Sequence, residues 1–234
     1  MTWQVPVLYH DDWLLMVDKP AGLLSIPDGY RPDLPYLRSV LEPRWGPVWP
    51  VYQLDKEISG VVVLARDKES RKALRRLFDR GQMTRIFHVL VRGNPEWETY
   101  EARHPLRPNV GRRKRTVVDP QRGLPAETHF RVLERLGRYT LVEARPLTDR
   151  RHQIRVHLYV LGHPVSGDAL YGPGRLEEDP ISRLGIHARR VVFRHPHTGE
   201  EVRATAEHPQ DFAQALEALR MEQMLVDTEI EEAS

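Results

Sequence analysis

Cysteine is absent from this chain of 234 residues. Disulfides, thiolate metal sites and thiol nucleophiles are thereby excluded, and a reducing compartment fits. Long hydrophobic runs are absent as well. Nothing approaches the roughly 18 consecutive apolar residues of a membrane span, and the opening Met1-Thr2-Trp3-Gln4-Val5-Pro6-Val7 lacks signal-peptide architecture. A cytoplasmic protein without a membrane partner is therefore expected. A phosphate-cradling glycine loop is missing: Gly172-Pro173-Gly174 has a proline in its middle and no strand before it. Nucleotide hydrolysis and a nucleotide cofactor are not expected. The histidines do not fall at metal-ligand spacing either. His152 and His157 are out of the i, i+4 register of helical zinc ligands, and no carboxylate follows them in a metalloprotease pattern. No heptad seam or repeat exists to suggest an oligomer, so the oligomeric state is open.

Charge of one sign is also lacking overall, the net being +2, but its distribution is uneven. Arg103, Arg107, Arg112, Arg113, Lys114 and Arg115 follow one another with no acid among them, and Arg71, Lys72, Arg75, Arg76 and Arg80 recur at helical spacing. The C-terminus compensates with Glu222, Asp227, Glu229, Glu231 and Glu232. A basic body with an acidic tail suits a protein that meets a polyanion, although solvated helix faces and a flexible loop give the same pattern.

The periodicities predict an α+β chain with a mixed, mainly antiparallel sheet and flanking helices. Short strands are expected at Val7–Tyr9, Leu14–Val17, Ile86–Val91, Thr128–Leu133 and Tyr139–Ala144, and a hairpin around Pro196-His197-Thr198-Gly199. Asp67 is placed to cap a helix with the buried stripe Ala73, Leu74, Leu77 and Phe78, ended by Gly81. Further helices are expected near Tyr36–Leu41, Arg151–Leu161 and Gln210–Met224. A proline-rich excursion runs from Pro95 to Pro125. The boundaries expected are one domain over 1–220 and an acidic tail over 221–234.

Two segments carry chemistry. Tyr52-Gln53-Leu54-Asp55-Lys56-Glu57-Ile58-Ser59-Gly60 leads at once into Val61-Val62-Val63-Leu64-Ala65. Asp55 thus sits on a polar turn held by a buried strand, where a nucleophile or base belongs. By itself, an aspartate in a turn is more often a backbone cap. The second segment is Arg151-His152-Gln153-Ile154-Arg155-Val156-His157-Leu158, followed by Gly162-His163-Pro164 and Gly167-Asp168-Ala169-Leu170-Tyr171-Gly172.

These motifs, with Val7-Leu8-Tyr9-His10-Asp11-Asp12 and the turn Lys19-Pro20-Ala21-Gly22, resemble in order and spacing the RluA-type RNA pseudouridine synthases over about residues 6–213. The resemblance implies a single pseudouridine synthase-like catalytic domain, without the N-terminal S4-like module of some relatives. The activity implied is a cofactor-free, metal-free isomerase that converts uridine to pseudouridine in ribosomal or transfer RNA. Asp55 falls at the family's catalytic aspartate, Arg155 at the arginine that pairs with it, and Phe87 at the aromatic platform for the base. Gln53, His152 and Gln153 fall among substrate contacts, and Arg112, Arg113, Lys114 and Arg115 are the candidates for phosphate contacts. Three sites depart from the family pattern: Phe87 replaces a tyrosine, Gln53 an arginine, and the segment Asp149-Arg150-Arg151 a Gly-Arg-Thr. The first two motivate an alternative, a degenerate homologue that binds RNA as a chaperone or assembly factor.

Overall fold

The structure is a computed structural model that describes residues 3–173 and 176–232, with no side-chain description at 227 and 229–232. Gly174 and the last residues of the expected tail lie outside the described residues. In chain order the first elements are β1 (Val7–His10), β2 (Leu14–Lys19), α1 (Leu37–Trp45), β3 (Trp49–Pro50), β4 (Ser59–Ala65), α2 (Lys68–Asp79), β5 (Met83–Arg92) and β6 (Thr99–Ala102). They are followed by β7 (Leu106–Val110), β8 (Arg115–Val118), β9 (Thr128–Leu136), β10 (Tyr139–Pro146), α3 (Gln153–Val160), β11 (Ile186–Arg194), β12 (Glu201–Thr205) and α4 (Gln210–Glu232). The chain forms two compact units, Met1–Ile86 with His187–Glu207, and Phe87–Ile186 with His208–Ser234.

In the first unit, β4 is the central strand, and all seven of its residues are buried. An unbroken run of valine and leucine gives a strand covered on both faces, whereas alternation would leave one face wet. It pairs antiparallel with β2, from Leu14 opposite Ala65 to Lys19 opposite Gly60. On its other side it runs parallel to β11, with His187 opposite Ser59 and Ala188 opposite Gly60. At that crossing only glycine fits. Gly60 has φ +110°, and a Cβ on it would lie 2.2 Å from the carbonyl oxygen of Ala188. β1 extends the sheet antiparallel on β2, and β12 pairs with β11 across the expected hairpin.

Helix α2 forms where its caps and stripe require. Asp67 accepts hydrogen bonds from the Glu69 and Ser70 amides, both at 2.8 Å. Leu74 and Phe78 are buried, each worth about 1.5–3 kcal/mol of transfer free energy, while Ala73 and Leu77 are half-buried. Gly81 follows at φ +67°, as a helix stop requires.

In the second unit the order is β5-β10-β9-β6, antiparallel throughout. Its main core joins Leu90, Leu136, Tyr139 and Leu141 to Phe212, Ala215, Leu216 and Leu219 of α4. The excursion from Pro95 to Pro125 contains strand β6 and the separate hairpin β7–β8. Pro108 hides this hairpin from a periodicity reading. Proline is tolerated there because the ladder breaks register between Arg107 and Val110. α4 also runs further than expected, to Glu232 instead of Met224. No glycine or proline lies between Gln210 and Ser234 to stop it. Among the described residues no helix is long and apolar enough to cross a membrane.

Candidate active site

The Asp55 turn in the first unit is held by its neighbours' backbones. Ser25 Oγ donates to the Leu54 carbonyl at 2.7 Å and accepts from the Leu54 amide at 3.0 Å. On the other side of Asp55, the Lys56 carbonyl accepts from the Gly22 amide at 2.7 Å and from Lys19 Nζ at 3.2 Å. Lys19 has no exposed surface. Its ammonium also reaches the carbonyls of Leu23 at 2.8 Å and Pro20 at 3.0 Å, so three carbonyls take its three donors. The Ile58 amide closes the turn onto the Asp55 carbonyl at 3.0 Å. The role of the Lys-Pro-Ala-Gly turn is thus physical: it carries a buried cation that holds the loop bearing Asp55. Asp55 itself is half-buried between buried Leu54 and Ile58, and Gln53 is exposed.

Beside this turn, burial pushes the Asp18 carboxyl up to about 6, against the charge of Lys19 and a hydrogen bond from the Gly60 amide. Ser59 Oγ lies 2.9 Å from Nδ1 of buried His187, whose Nε2 is 3.1 Å from the Ala206 carbonyl. Nε2 is then a donor, and His187 ties the start of β4 to the residue after β12.

The second motif builds a dense site in the second unit. Arg155, on the first turn of α3, donates from Nε and Nη2 to the two oxygens of Asp168, both at 2.8 Å. This is a bidentate fork, with both side chains buried. Burial pushes the Asp168 carboxyl up, but the Arg155 hydrogen bonds and charge and the amides of Tyr171 and Leu170 outweigh it. The group titrates below the ordinary carboxylate value. The Arg155 guanidinium lies over the Tyr171 ring, 5.1 Å from its centroid. His152 precedes the helix in the left-handed region, at φ +56°, and its Nδ1 is 2.8 Å from the Tyr171 hydroxyl.

Gln153, expected to touch substrate, is turned inward. Its Oε1 accepts from Thr148 Oγ1 at 2.8 Å and the Arg150 amide at 3.1 Å. Its Nε2 donates to the Glu127 carbonyl and Thr128 Oγ1, both at 2.9 Å. Those four bonds saturate the amide. Thr128 Oγ1 in turn lies 3.0 Å from Nδ1 of His157, whose Nε2 donates to the His104 carbonyl at 3.1 Å. Burial pushes this imidazole down to about 4.

The basic cluster divides. Arg112, Arg113 and Lys114 stand exposed at the tip of the β7–β8 hairpin, whose turn uses positive φ at Gly111 and Lys114. Arg115 folds back instead, its guanidinium 5.0 Å from the Tyr171 ring centroid. Phe87 lies on β5 opposite Ala144 and is 5% exposed. The second unit therefore gathers Arg155, His152 and Arg115 around Tyr171, while Gln153 supports the backbone nearby. Asp55 and Gln53 belong to the first unit.

Sequence reasoning overlooked Lys19, Thr116, Asp168 and Tyr171 as parts of the sites. Lys19, Asp168 and Tyr171 stood inside quoted motifs, but their partners are remote in the chain. Among the described residues, the metal-ligand atoms that cluster are those of Glu101, Glu127 and His129, within 4.8 Å of one another. Arg103 already pairs with both glutamates there, at 2.8 and 3.2 Å.

A family model described as RNA pseudouridylate synthase matches residues 13–159. The dual-specificity RNA pseudouridine synthase RluA of Pasteurella multocida is 34% identical, the match covering 83% of this chain and 89% of that protein. The ribosomal large subunit pseudouridine synthase D of Xanthomonas campestris is 37% identical over 92% of this chain and 69% of its own length. The corresponding protein of Nitrosomonas europaea is 35% identical, and the present chain spans 65% of it. Among solved structures, human RNA pseudouridylate synthase domain containing 1 superposes with a TM-score of 0.75 at 27% identity, covering 94% of this chain and 96% of that one. A family match over residues 13–159, relatives of 34–37% identity matched over most of this chain and a shared α+β fold converge on one assignment: this chain belongs to the RNA pseudouridylate synthase family.

Proposed function

We propose that this protein isomerises uridine to pseudouridine in RNA, with Asp55 as nucleophile or base. The N1–C1′ bond of the nucleotide breaks, the uracil turns, and a C5–C1′ bond forms; the C5 proton leaves and N1 gains one, so no cofactor or redox partner is consumed. A single carboxylate suffices for such an exchange, by attack at C1′, by abstraction of a sugar proton or by addition to the base. The observation that carries the reading is the Asp55 turn. A half-buried carboxylate is carried between residues whose backbone groups are pinned by Ser25, Gly22 and a buried ammonium, the preorganisation a reacting group needs.

Arg155 is assigned as the cation that supports this carboxylate's charge, and Phe87 as the apolar partner of the target base. With phenylalanine at that position, no side-chain hydroxyl is available for proton transfer, and water takes that part. Gln53 contacts the RNA as a neutral hydrogen-bonding group, and His152 lines the site. Gln153 shapes the segment before α3 without touching substrate. Arg112, Arg113 and Lys114 bind phosphates. Ribosomal RNA is the substrate class that the relatives' names support, transfer RNA is the second class to test, and the cytoplasm is the compartment expected.

Mapping pseudouridine by carbodiimide adducts and primer-extension stops tests this directly. Total RNA would be compared from cells with the wild-type gene, a deletion and Asp55→Asn. A stop present with wild type alone establishes reaction, catalytic residue and target site together. Identical maps in all three would sink the enzyme reading and leave an RNA-binding homologue.

A further inference from the structure

Tyr171 has no task in the reaction as described, yet four residues of the second unit converge on it. The guanidiniums of Arg155 and Arg115 both lie over its ring, 5.1 and 5.0 Å from the centroid. Its hydroxyl accepts the Thr116 amide at 2.8 Å and stands 2.8 Å from His152 Nδ1. Two guanidiniums on one ring repel each other, so the arrangement needs compensation. Asp168 neutralises Arg155. For Arg115, Nε is buried and meets no hydrogen-bond acceptor among the described residues; its guanidinium is attracted by the Tyr171 ring face and, at 5.9 Å, by that of Tyr159.

The chain connects these contacts to RNA. Arg115 and Thr116 begin β8, directly after the exposed Arg112, Arg113 and Lys114. The base of the hairpin is thus latched to Tyr171 by an amide hydrogen bond and a cation–π contact, and Arg155 rests on the same ring. We propose that Tyr171 is a positioning residue that couples the basic hairpin to Arg155: its hydroxyl fixes the hairpin, and its ring, with Asp168, fixes the guanidinium. This rests on the functional reading of Arg155 given above.

The two halves of the side chain separate by substitution. Tyr171→Phe keeps the ring and removes the latch; Tyr171→Leu removes both. The full chain would be assayed on large-subunit ribosomal RNA and on transfer RNA, each transcribed with uridine tritiated at C5, because pseudouridine formation releases that tritium. Rates are divided by the folded fraction from thermal melts. Tyr171→Phe is expected to raise KM about threefold to tenfold, the cost of one lost hydrogen bond to the hairpin, with kcat within about twofold of wild type. Tyr171→Leu is expected to lower kcat by about tenfold or more, as a misaimed charged group does.

A residue that merely fills space would show no such split, and its variants would lose kcat only as they lose folded protein. Equal kcat in the Phe and Leu variants, or losses that vanish on correction for folding, would overturn the proposal while wild-type turnover leaves the function standing. Absence of tritium release by wild type on both RNAs would overturn the functional reading, and this proposal with it.

Discussion

Lys19 shows how much of this site depends on single buried polar atoms. Its side chain has no exposed surface, and three backbone carbonyls accept from its Nζ. Lys19→Met would remove the side-chain donor from the Pro20 and Leu23 carbonyls and leave the Lys56 carbonyl only the Gly22 amide, at about 1–3 kcal/mol of stability. It would also release Lys56 and with it the Asp55 turn. Urea unfolding should show the stability loss, and tritium release per folded molecule should fall further than folding alone explains. Unchanged turnover would mean that the Ser25 and Gly22 bonds hold the turn unaided. At this scale the sequence is legible where a residue type is diagnostic. Asp55 could be singled out because a carboxylate before a valine run is conspicuous. Lys19 could not, since the carbonyl of Lys56 that it holds is 37 positions away in the chain.

Among the elements, β4 and α2 follow from local rules: an unbroken apolar run makes a strand buried on both faces, and a capped stripe makes a helix against it. The β7–β8 hairpin does not, because Pro108 interrupts the alternation and a bulge absorbs it. Yet this hairpin presents the chain's most concentrated positive charge. Replacing Arg112, Arg113 and Lys114 together by glutamine should weaken RNA binding at low salt. It should also reduce the slope of log K against log salt by about 2 to 3, one counterion-release increment per lost phosphate contact. Filter binding across a potassium chloride series measures it. Unfolding stability should move by less than about 0.5 kcal/mol, since all three side chains are exposed. An unchanged slope would place the RNA elsewhere. The end of α4 was misjudged for the opposite reason: acidic composition suggested a tail, whereas the absence of a helix breaker decided its backbone.

For the whole molecule, pH sets a buried histidine against a half-buried aspartate. His157, pushed down to about 4 from an ordinary 6.5, resists protonation in the folded state. Its contribution is complete above the unfolded value and is lost as pH falls towards 4, on the order of 3 kcal/mol. Asp18, pushed up to about 6 from 3.8, works the other way. Its contribution is present at low pH and lost as pH rises through 6, and partial exposure to solvent makes it the smaller of the two. Stability should therefore rise only gently between pH 4 and 6.5. Asp18→Asn should steepen that rise while keeping the acceptor for the Gly60 amide. Urea titrations at several pH values decide it; parallel curves for the two proteins would remove Asp18 from the account. The same contrast of near and far governs what could be read at the molecular scale. Each catalytic motif is a contiguous run and could be recognised as such. The Tyr171 hub joins Thr116, 55 residues away, and Gln153, taken for a substrate contact, is consumed by Thr148, Arg150 and the Glu127–Thr128 start of β9.

Gly60 follows Asp55 by five positions and sits against the Ala188 carbonyl where β4 meets β11. Any codon change that puts a side chain there must separate two strands just behind Asp55, the proposed nucleophile. Over generations exposed residues of the turn, Gln53 among them, are free of this packing constraint and, on the proposed function, are where the choice of RNA would be retuned. The hinge beneath them is not, so lineages diverging in substrate must explore from one fixed anchorage.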